Sequence, residues 1–175
     1  MRYKLIAAAA LLAPLAACNA VADKGLSPAQ AELLQRVADR EQIEDLMWQY
    51  ARTLDSADAD GYVGIFTPDG KFVNGGMAME GREALHKFVA DLKKSREERR
   101  ARGENPGGTL HMTANHKIEF TGADSALVHS YWITMFPAQG SDNPARVGFV
   151  GIAEDQLVRV DGKWLFKVRN VGLTD

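Results

Sequence analysis

The stretch TLHMTANHKIEF, residues 109–120, decides how the chain is read. It is strand-like in length and pattern, yet His111, Thr113 and Asn115 stand where an ordinary core strand would carry Val or Ile. Successive side chains on a strand point to opposite faces, so residues two apart share a face. An imidazole, a hydroxyl and an amide therefore line one side, and a polar patch on a face expected to curl inward reads as part of a small-molecule pocket. His116 differs from His111 by an odd number of positions, so an unbroken strand sends the two imidazoles to opposite faces; a bulge between Asn115 and Ile118 would alter that phase.

The elements on either side of this strand place the pocket. Ser27-Pro28 predicts a helix start, with a hydroxyl at the N-cap and Pro at the first helical position. Leu33, Leu34, Val37, Ile43, Leu46, Met47, Tyr50 and Leu54 then recur at three- and four-residue steps, an apolar stripe ending near Asp55-Ser56. Asp58 caps a second, short helix through Tyr62 and Phe66, stopped by a turn at TPDG. KFVN is a short strand, GGMAME a turn and strand, and GREALHKFVADLKKSREERRAR a third helix. That helix buries Leu85, Phe88, Val89 and Leu92, and runs on from Arg96 to Arg102 as a solvated charged extension. The period then changes: SALVHSYWITMF, RVGFVGIAEDQLVRV and KWLFKVRNVGL follow residues 109–120 as strands joined by tight turns such as TGAD and VDGK. Helices followed by an antiparallel meander make an α+β domain. A strongly curved sheet wrapped on an amphipathic helix leaves a conical cavity.

The N-terminus carries a different message. A basic segment, an Ala-rich apolar run too short to span a bilayer, and then Leu15-Ala16-Ala17-Cys18 resemble a bacterial lipoprotein signal. Residues 1–17 are expected to be removed and Cys18 lipidated, with 18–27 as a tether and 28–175 as the folded domain. Asn19, rather than Asp, resembles the outer-membrane sorting pattern, so the expected location is the cell envelope, lipid-anchored, on the periplasmic side of the outer membrane in a Gram-negative cell. The membrane, reached through this lipid, is one expected partner. Cys18 is the only cysteine, so the domain has no disulfide and no thiolate nucleophile. A formal net charge of -2 argues against nucleic acid as a partner.

Among the residues that can do chemistry, Asp55 follows Trp48 by seven and Ala51 by four, on one helical line, with Tyr50 on the stripe beside it. A carboxylate in the last turn of a helix faces the negative end of the dipole, at a cost of about 0.3–1 kcal/mol. Two readings stand level: Asp55 caps the following helix, or it has a chemical task. His111 alone on a strand is more often structural than catalytic; Thr113 and Asn115 on its face shift the balance. His86, near a helix start, reads as a surface or edge residue. Neither a His-Glu-x-x-His motif nor a carboxylate cluster is present, so no metal site is expected, and no phosphate-cradling glycine loop occurs.

The order IEDLMWQYARTLDSADADGYVGIFTPDGKF, GREAL, HMTANHKIEFTGADSALVHSYW and DQLVRVDGKWLFKVR resembles the SnoaL-like branch of the nuclear transport factor 2 (NTF2-like) superfamily over about residues 36 to 171. Scytalone dehydratase, bile-acid 7α-dehydratase and hexachlorocyclohexane dehydrochlorinase share this pattern. The resemblance implies a cone-shaped, cystatin-like roll with three N-terminal helices packed on a strongly curved antiparallel or mixed sheet. It implies a catalytic pairing of Asp55 with His111 and an active-site role for Tyr50. Over H-x-x-x-N-x-x-(Ile/Leu)-Glu-Phe (here His111, Asn115, Ile118, Glu119 and Phe120) the chain is most similar to the dehydrochlorinase. An aromatic common in the family is replaced by Ala153 in GIAEDQL. Arg146 and His129 are the candidates for the family's arginine and second histidine.

The chemistry expected of such a pair needs no cofactor. A neutral imidazole accepts a proton near neutral pH, the carboxylate fixes its tautomer, and a tyrosine hydroxyl steadies a developing oxyanion. This fits a cofactor-independent lyase or isomerase acting by proton abstraction and β-elimination on a small, mostly apolar cyclic molecule. Trp48, Thr113, Asn115, Phe66 and Trp132, with Met47 and Phe72, are the expected lining. The alternative is a non-catalytic small-molecule-binding or assembly lipoprotein of the envelope with the same fold. Apolar residues on both faces of SALVHSYWITMF and KWLFKV also point to a covered outer sheet face, and a homodimer would supply the cover.

Overall fold

The structure is a computed structural model that describes residues 25–173. The expected signal (1–17), the lipidation site Cys18 and the tether up to residue 24 lie outside the described residues. The chain divides into two compact units, one ending at Gln35 and the other beginning at Arg36. In the first, helix α1 (Pro28–Ser56) starts as expected. The Gln30 amide donates to Ser27 Oγ at 3.3 Å, and the Ser27 amide donates to Gln30 Oε1 at 2.9 Å, a reciprocal capping box.

From Arg36 onward α1 buries Asp39, Ile43, Leu46, Met47, Tyr50, Ala51 and Leu54. Val37, expected on the same stripe, is exposed, so the buried face of this unit's helix begins at Asp39. Ala57 takes a left-handed conformation (φ 55°) and ends the helix. Asp58 then caps α2 (Ala59–Gly64) by accepting from the Gly61 amide at 3.0 Å.

Strand β1 (Phe66–Asn74) corrects the expected turn at TPDG, because those four residues lie inside the strand. Its register against β6 slips between Phe66 and Lys71, and Thr67 Oγ1 donates to Asp69 within the slip. A Cβ on Gly70 would meet Phe66 Cβ at 2.9 Å and two backbone oxygens at 3.0 and 3.1 Å, so only glycine fits there. Strand β2 (Met77–Glu80), helix α3 (Gly81–Ala101), and strands β3 (Leu110–Phe120), β4 (Ser125–Phe136), β5 (Arg146–Val160) and β6 (Lys163–Leu173) follow. Asp161 and Gly162, with φ of 50° and 79°, make the tight turn expected at VDGK.

The six strands form one curved, mixed sheet in the order β2-β1-β6-β5-β4-β3. Only β1 with β6 is parallel; the other pairs are antiparallel. The α+β class is thus as expected, with helices packed on the curved sheet. A chain of rings runs through the core: Tyr50 to Tyr62 (5.9 Å), Tyr62 to Phe66 (5.1 Å) and Phe66 to Phe166 (5.2 Å). Asp39, fully buried, ties α1 to the sheet by accepting from Trp164 Nε1 at 3.1 Å and Arg159 Nη1 at 2.7 Å.

Strand β3 is a sheet edge, and α1 is hydrogen-bonded to it at two points. Arg40 donates to the Ile118 carbonyl at 3.2 Å, and Asp55 receives the His111 amide. Midway along β3 the register slips between Ala114 and Lys117, with Asn115 left-handed (φ 55°). The bulge reverses the phase of everything after it. His116 therefore turns to the same side as His111, contrary to the unbroken-strand expectation. Among the described residues, no helix is long and apolar enough to cross a membrane.

Candidate functional site

A cavity of about 530 Å³ opens between α1, α3 and the inner face of the sheet. Tyr50 and Leu54 enter from α1, Phe88, Leu92 and Arg96 from α3, and His111, Thr113, Trp132 and Arg169 from the sheet. Apolar walls with a few converging polar groups are the usual make-up of a small-molecule site.

Asp55 and His111 meet at the wall of this cavity: His111 lines it, and Asp55, which does not, contacts the ring. His111 Nδ1 lies 2.7 Å from Asp55 Oδ1, and the His111 backbone amide donates to both carboxylate oxygens, at 3.1 and 3.3 Å. The side chains retain 8% exposure at Asp55 and 23% at His111, so the contact is shielded while the imidazole keeps one open side. A carboxylate accepts only, which assigns the proton to Nδ1 and leaves Nε2 of a neutral ring as an acceptor. The capping alternative for Asp55 falls away, since Asp58 caps α2. The cost of a carboxylate at a helix C-terminus is offset locally: Arg96 Nη1 donates to the Asp55 carbonyl at 2.8 Å and Nη2 to Thr109 Oγ1 at 3.0 Å. Burial lowers the pKa of Arg96, with the charge of Asp55 opposing.

Beneath the pair lies a buried ionic cluster. Arg169, fully buried, is paired with Asp155, and its Cζ sits 3.8 Å from the Tyr50 ring centroid. Its Nε and Nη2 have no hydrogen-bond partner among the described residues. Burial raises the Tyr50 phenol above its ordinary value, with Arg169 opposing, so the hydroxyl remains a donor at neutral pH. Burial likewise pushes Asp155 up to about 6, against the attraction of Arg169.

Thr113 and Trp132 line the cavity as expected, with the indole N–H committed to the Val171 carbonyl at 3.1 Å. Three other expected lining residues are corrected. Phe66 is fully buried in the ring cluster and reaches no cavity. Asn115 is the left-handed residue of the bulge and is exposed outside both linings. Trp48, 64% exposed, lines instead a second cavity of about 360 Å³, which shares His111 and Thr113 with the first and also holds Met47, Asp55 and His116. Burial lowers the His116 pKa, with Glu44 opposing, and its Nε2 has no partner among the described residues.

Arg146 and His129 are also corrected. Arg146 stacks on Phe136 at 4.2 Å and His129 faces Glu154 at 3.8 Å, both outside the cavity. Arg169 holds the inner position instead. Strict alternation from Trp164 and Phe166 would turn Val168 inward, but the register irregularities beside β6 shift the phase so that Arg169 and Val171 are buried. The signal available in the sequence was the acidic pair Glu154-Asp155, since Asp155 faces Arg169 in the ladder. Arg96 was missed because it opens a run of charges that otherwise looks solvated.

Residues 35–170 match the model of the SnoaL-like domain, and the chain belongs to that family. Solved structures share the fold. An NTF2-like protein with a cystatin-like fold from Novosphingobium aromaticivorans has a TM-score of 0.67 at 20% identity, covering 83% of this chain and 88% of its own. A candidate scytalone dehydratase from the same organism gives 0.64 at 23%, covering 81% and 87%. LinA gives 0.64 at 19%, covering 81% and 90%. Among curated proteins none matches the chain.

Proposed function

We propose that the protein is a cofactor-independent lyase or isomerase in which His111 is the base and Asp55 its partner. The observation that carries this reading is the 2.7 Å contact between Nδ1 and the carboxylate at a small-molecule cavity. Nε2 takes a proton from a carbon made acidic by a neighbouring carbonyl or similar group. In an elimination the C–H electron pair becomes the new C=C bond as the bond from the β-carbon to its hydroxyl breaks. The departing oxygen keeps that bond's electron pair and receives the proton from His111, leaving as water. In an isomerisation the proton returns to a different carbon. Asp55 stabilises the imidazolium, and the Tyr50 hydroxyl and Arg169 N–H groups steady charge that develops on oxygen. Likeness to a candidate scytalone dehydratase supports the dehydratase form, and the apolar walls support a compact cyclic substrate.

The test is incubation with cyclic hydroxy, keto and halogenated compounds in heavy water. Product, with deuterium at the acidic carbon where proton return competes, is the expected result. No product and no exchange with any of them would defeat the reading.

The proposed setting is the envelope, with Cys18 lipidated; an intact-mass measurement of the mature protein should show the acylated cysteine at its N-terminus, and Cys18→Ser should abolish it. A homodimer is part of the same proposal. Tyr131 of β4 and Val147 and Val150 of β5 are exposed apolar side chains that line neither cavity.

A further inference from the structure

Among the described residues, the charged side chains lining the 530 Å³ cavity are both basic: Arg96 and Arg169. Their positive charges are not equally answered. Arg169 has Asp155 beside it. Arg96 has no carboxylate within ion-pair reach among the described residues, and its two bonded nitrogens donate to neutral acceptors, a carbonyl and a hydroxyl. The carboxylate whose charge acts on it, Asp55, already receives the ring and backbone N–H of His111. A guanidinium carries five N–H donors and stays protonated, so Arg96 brings to the cavity wall a full charge with donors to spare. It is also partly withdrawn from water, and the charge of Asp55 offsets that burial only in part, so a matching anion is favourable.

We infer that the natural ligand is an organic monoanion, a carboxylate carried on a compact apolar ring system, and that Arg96 receives the carboxylate. This deepens the proposed function and rests on it for the orientation it implies. Arg96 holds the carbonyl of Asp55 while His111 holds its carboxylate, so an anion anchored on Arg96 sets the adjoining ring beside the imidazole. The apolar body meets Phe72, Phe88, Leu92 and Trp132. The single negative charge of a carboxylate matches the single charge that Arg96 brings to an otherwise largely apolar wall.

The test uses a matched pair of probes, naphthoate and naphthamide, which have nearly the same shape and differ in charge. Their binding is measured by calorimetry at neutral pH to the wild type, Arg96→Gln, Arg96→Lys and His111→Ala. The wild type should bind naphthoate about tenfold or more tightly over naphthamide, as a charge-assisted hydrogen bond provides. Arg96→Gln should bring the two within about twofold, Arg96→Lys should restore part of the preference, and His111→Ala should keep it. Equal affinities in the wild type, absence of naphthoate binding, or a preference that survives Arg96→Gln would overturn the inference. If Arg96→Gln fails to fold, as circular dichroism would show, the wild-type preference and its partial retention in Arg96→Lys decide the matter. Because binding is read without turnover, loss of the base-catalysis reading would leave this preference standing, and loss of the preference would leave that reading intact.

Discussion

Asp55 occupies a position that helix electrostatics disfavours, and three hydrogen-bond donors explain why it is tolerated: the ring and backbone N–H of His111 on its carboxylate, and Arg96 on its carbonyl. The arrangement fixes one tautomer. In nitrogen-15 spectra of histidine-labelled protein at neutral pH, His111 should carry its proton on Nδ1; a ring protonated on Nε2 would leave no base facing the ligand. Asp55→Asn should weaken this bias while the fold survives, and turnover should fall by about 10²–10⁴-fold, the usual worth of a positioned base. Deeper in, Asp155 sets a pH dependence of its own. Its carboxyl is raised from 3.8 to about 6 by burial, so the native state holds that proton more tightly than the unfolded chain. The stability this group contributes is therefore full below about pH 4 and lost as pH rises through about 6. Comparing melting temperatures of the wild type and Asp155→Asn from pH 4 to 7 should show the wild type losing ground as pH rises; the opposite slope would show that the pairing with Arg169 outweighs burial.

At the scale of elements, strand spans were legible even where pairing is interrupted by a register shift. The spans of β4, β5 and β6 follow from alternation and turn chemistry alone, and α3 from its four-residue apolar stripe. Three register slips matter for the site: in β1 across TPDG and beside β6 before Arg169, neither of them legible, and in β3 at Asn115, where the sequence offered a bulge only as an alternative. A slip is decided by the partner strand, and a residue's own neighbours carry little trace of it. Each slip displaced a site assignment. Phe66 went to the core, Asn115 left the cavity while His116 turned toward α1, and Arg169 rather than Arg146 lines the cavity. The contact between Asp55 and His111 was implied by the family resemblance and not by spacing, and it is unaffected by the slip in β3 because His111 precedes it. The β3 bulge makes a testable demand on backbone conformation. Asn115→Val should destabilise the fold by about 1–2 kcal/mol, since a β-branched residue resists the left-handed region, and Asn115→Gly should be nearly neutral. Urea denaturation measures both, and equal stability of the two variants would argue against the bulge.

At the scale of the whole molecule, the curved sheet separates two surfaces with different tasks. Its inner face carries the cavity; its outer face shows Tyr131, Val147 and Val150 to solvent. Val147 and Val150 sit opposite Met135 and Ile133 of the neighbouring strand, on one face thanks to a register shift at Thr134. Exposed apolar side chains grouped in this way fit an interface between copies. Light scattering should report a dimer, and Val150→Glu should shift it to monomer with unchanged helix content; a wild-type monomer at micromolar concentration would remove the dimer from the account. The inner face is tested through its two central residues together. Turnover is measured for Asp55→Asn, His111→Ala and the double variant on one accepted substrate. If carboxylate and imidazole act as a unit, the double variant should be no slower than His111→Ala alone. Losses that multiply, or wild-type turnover surviving in His111→Ala, would contradict it.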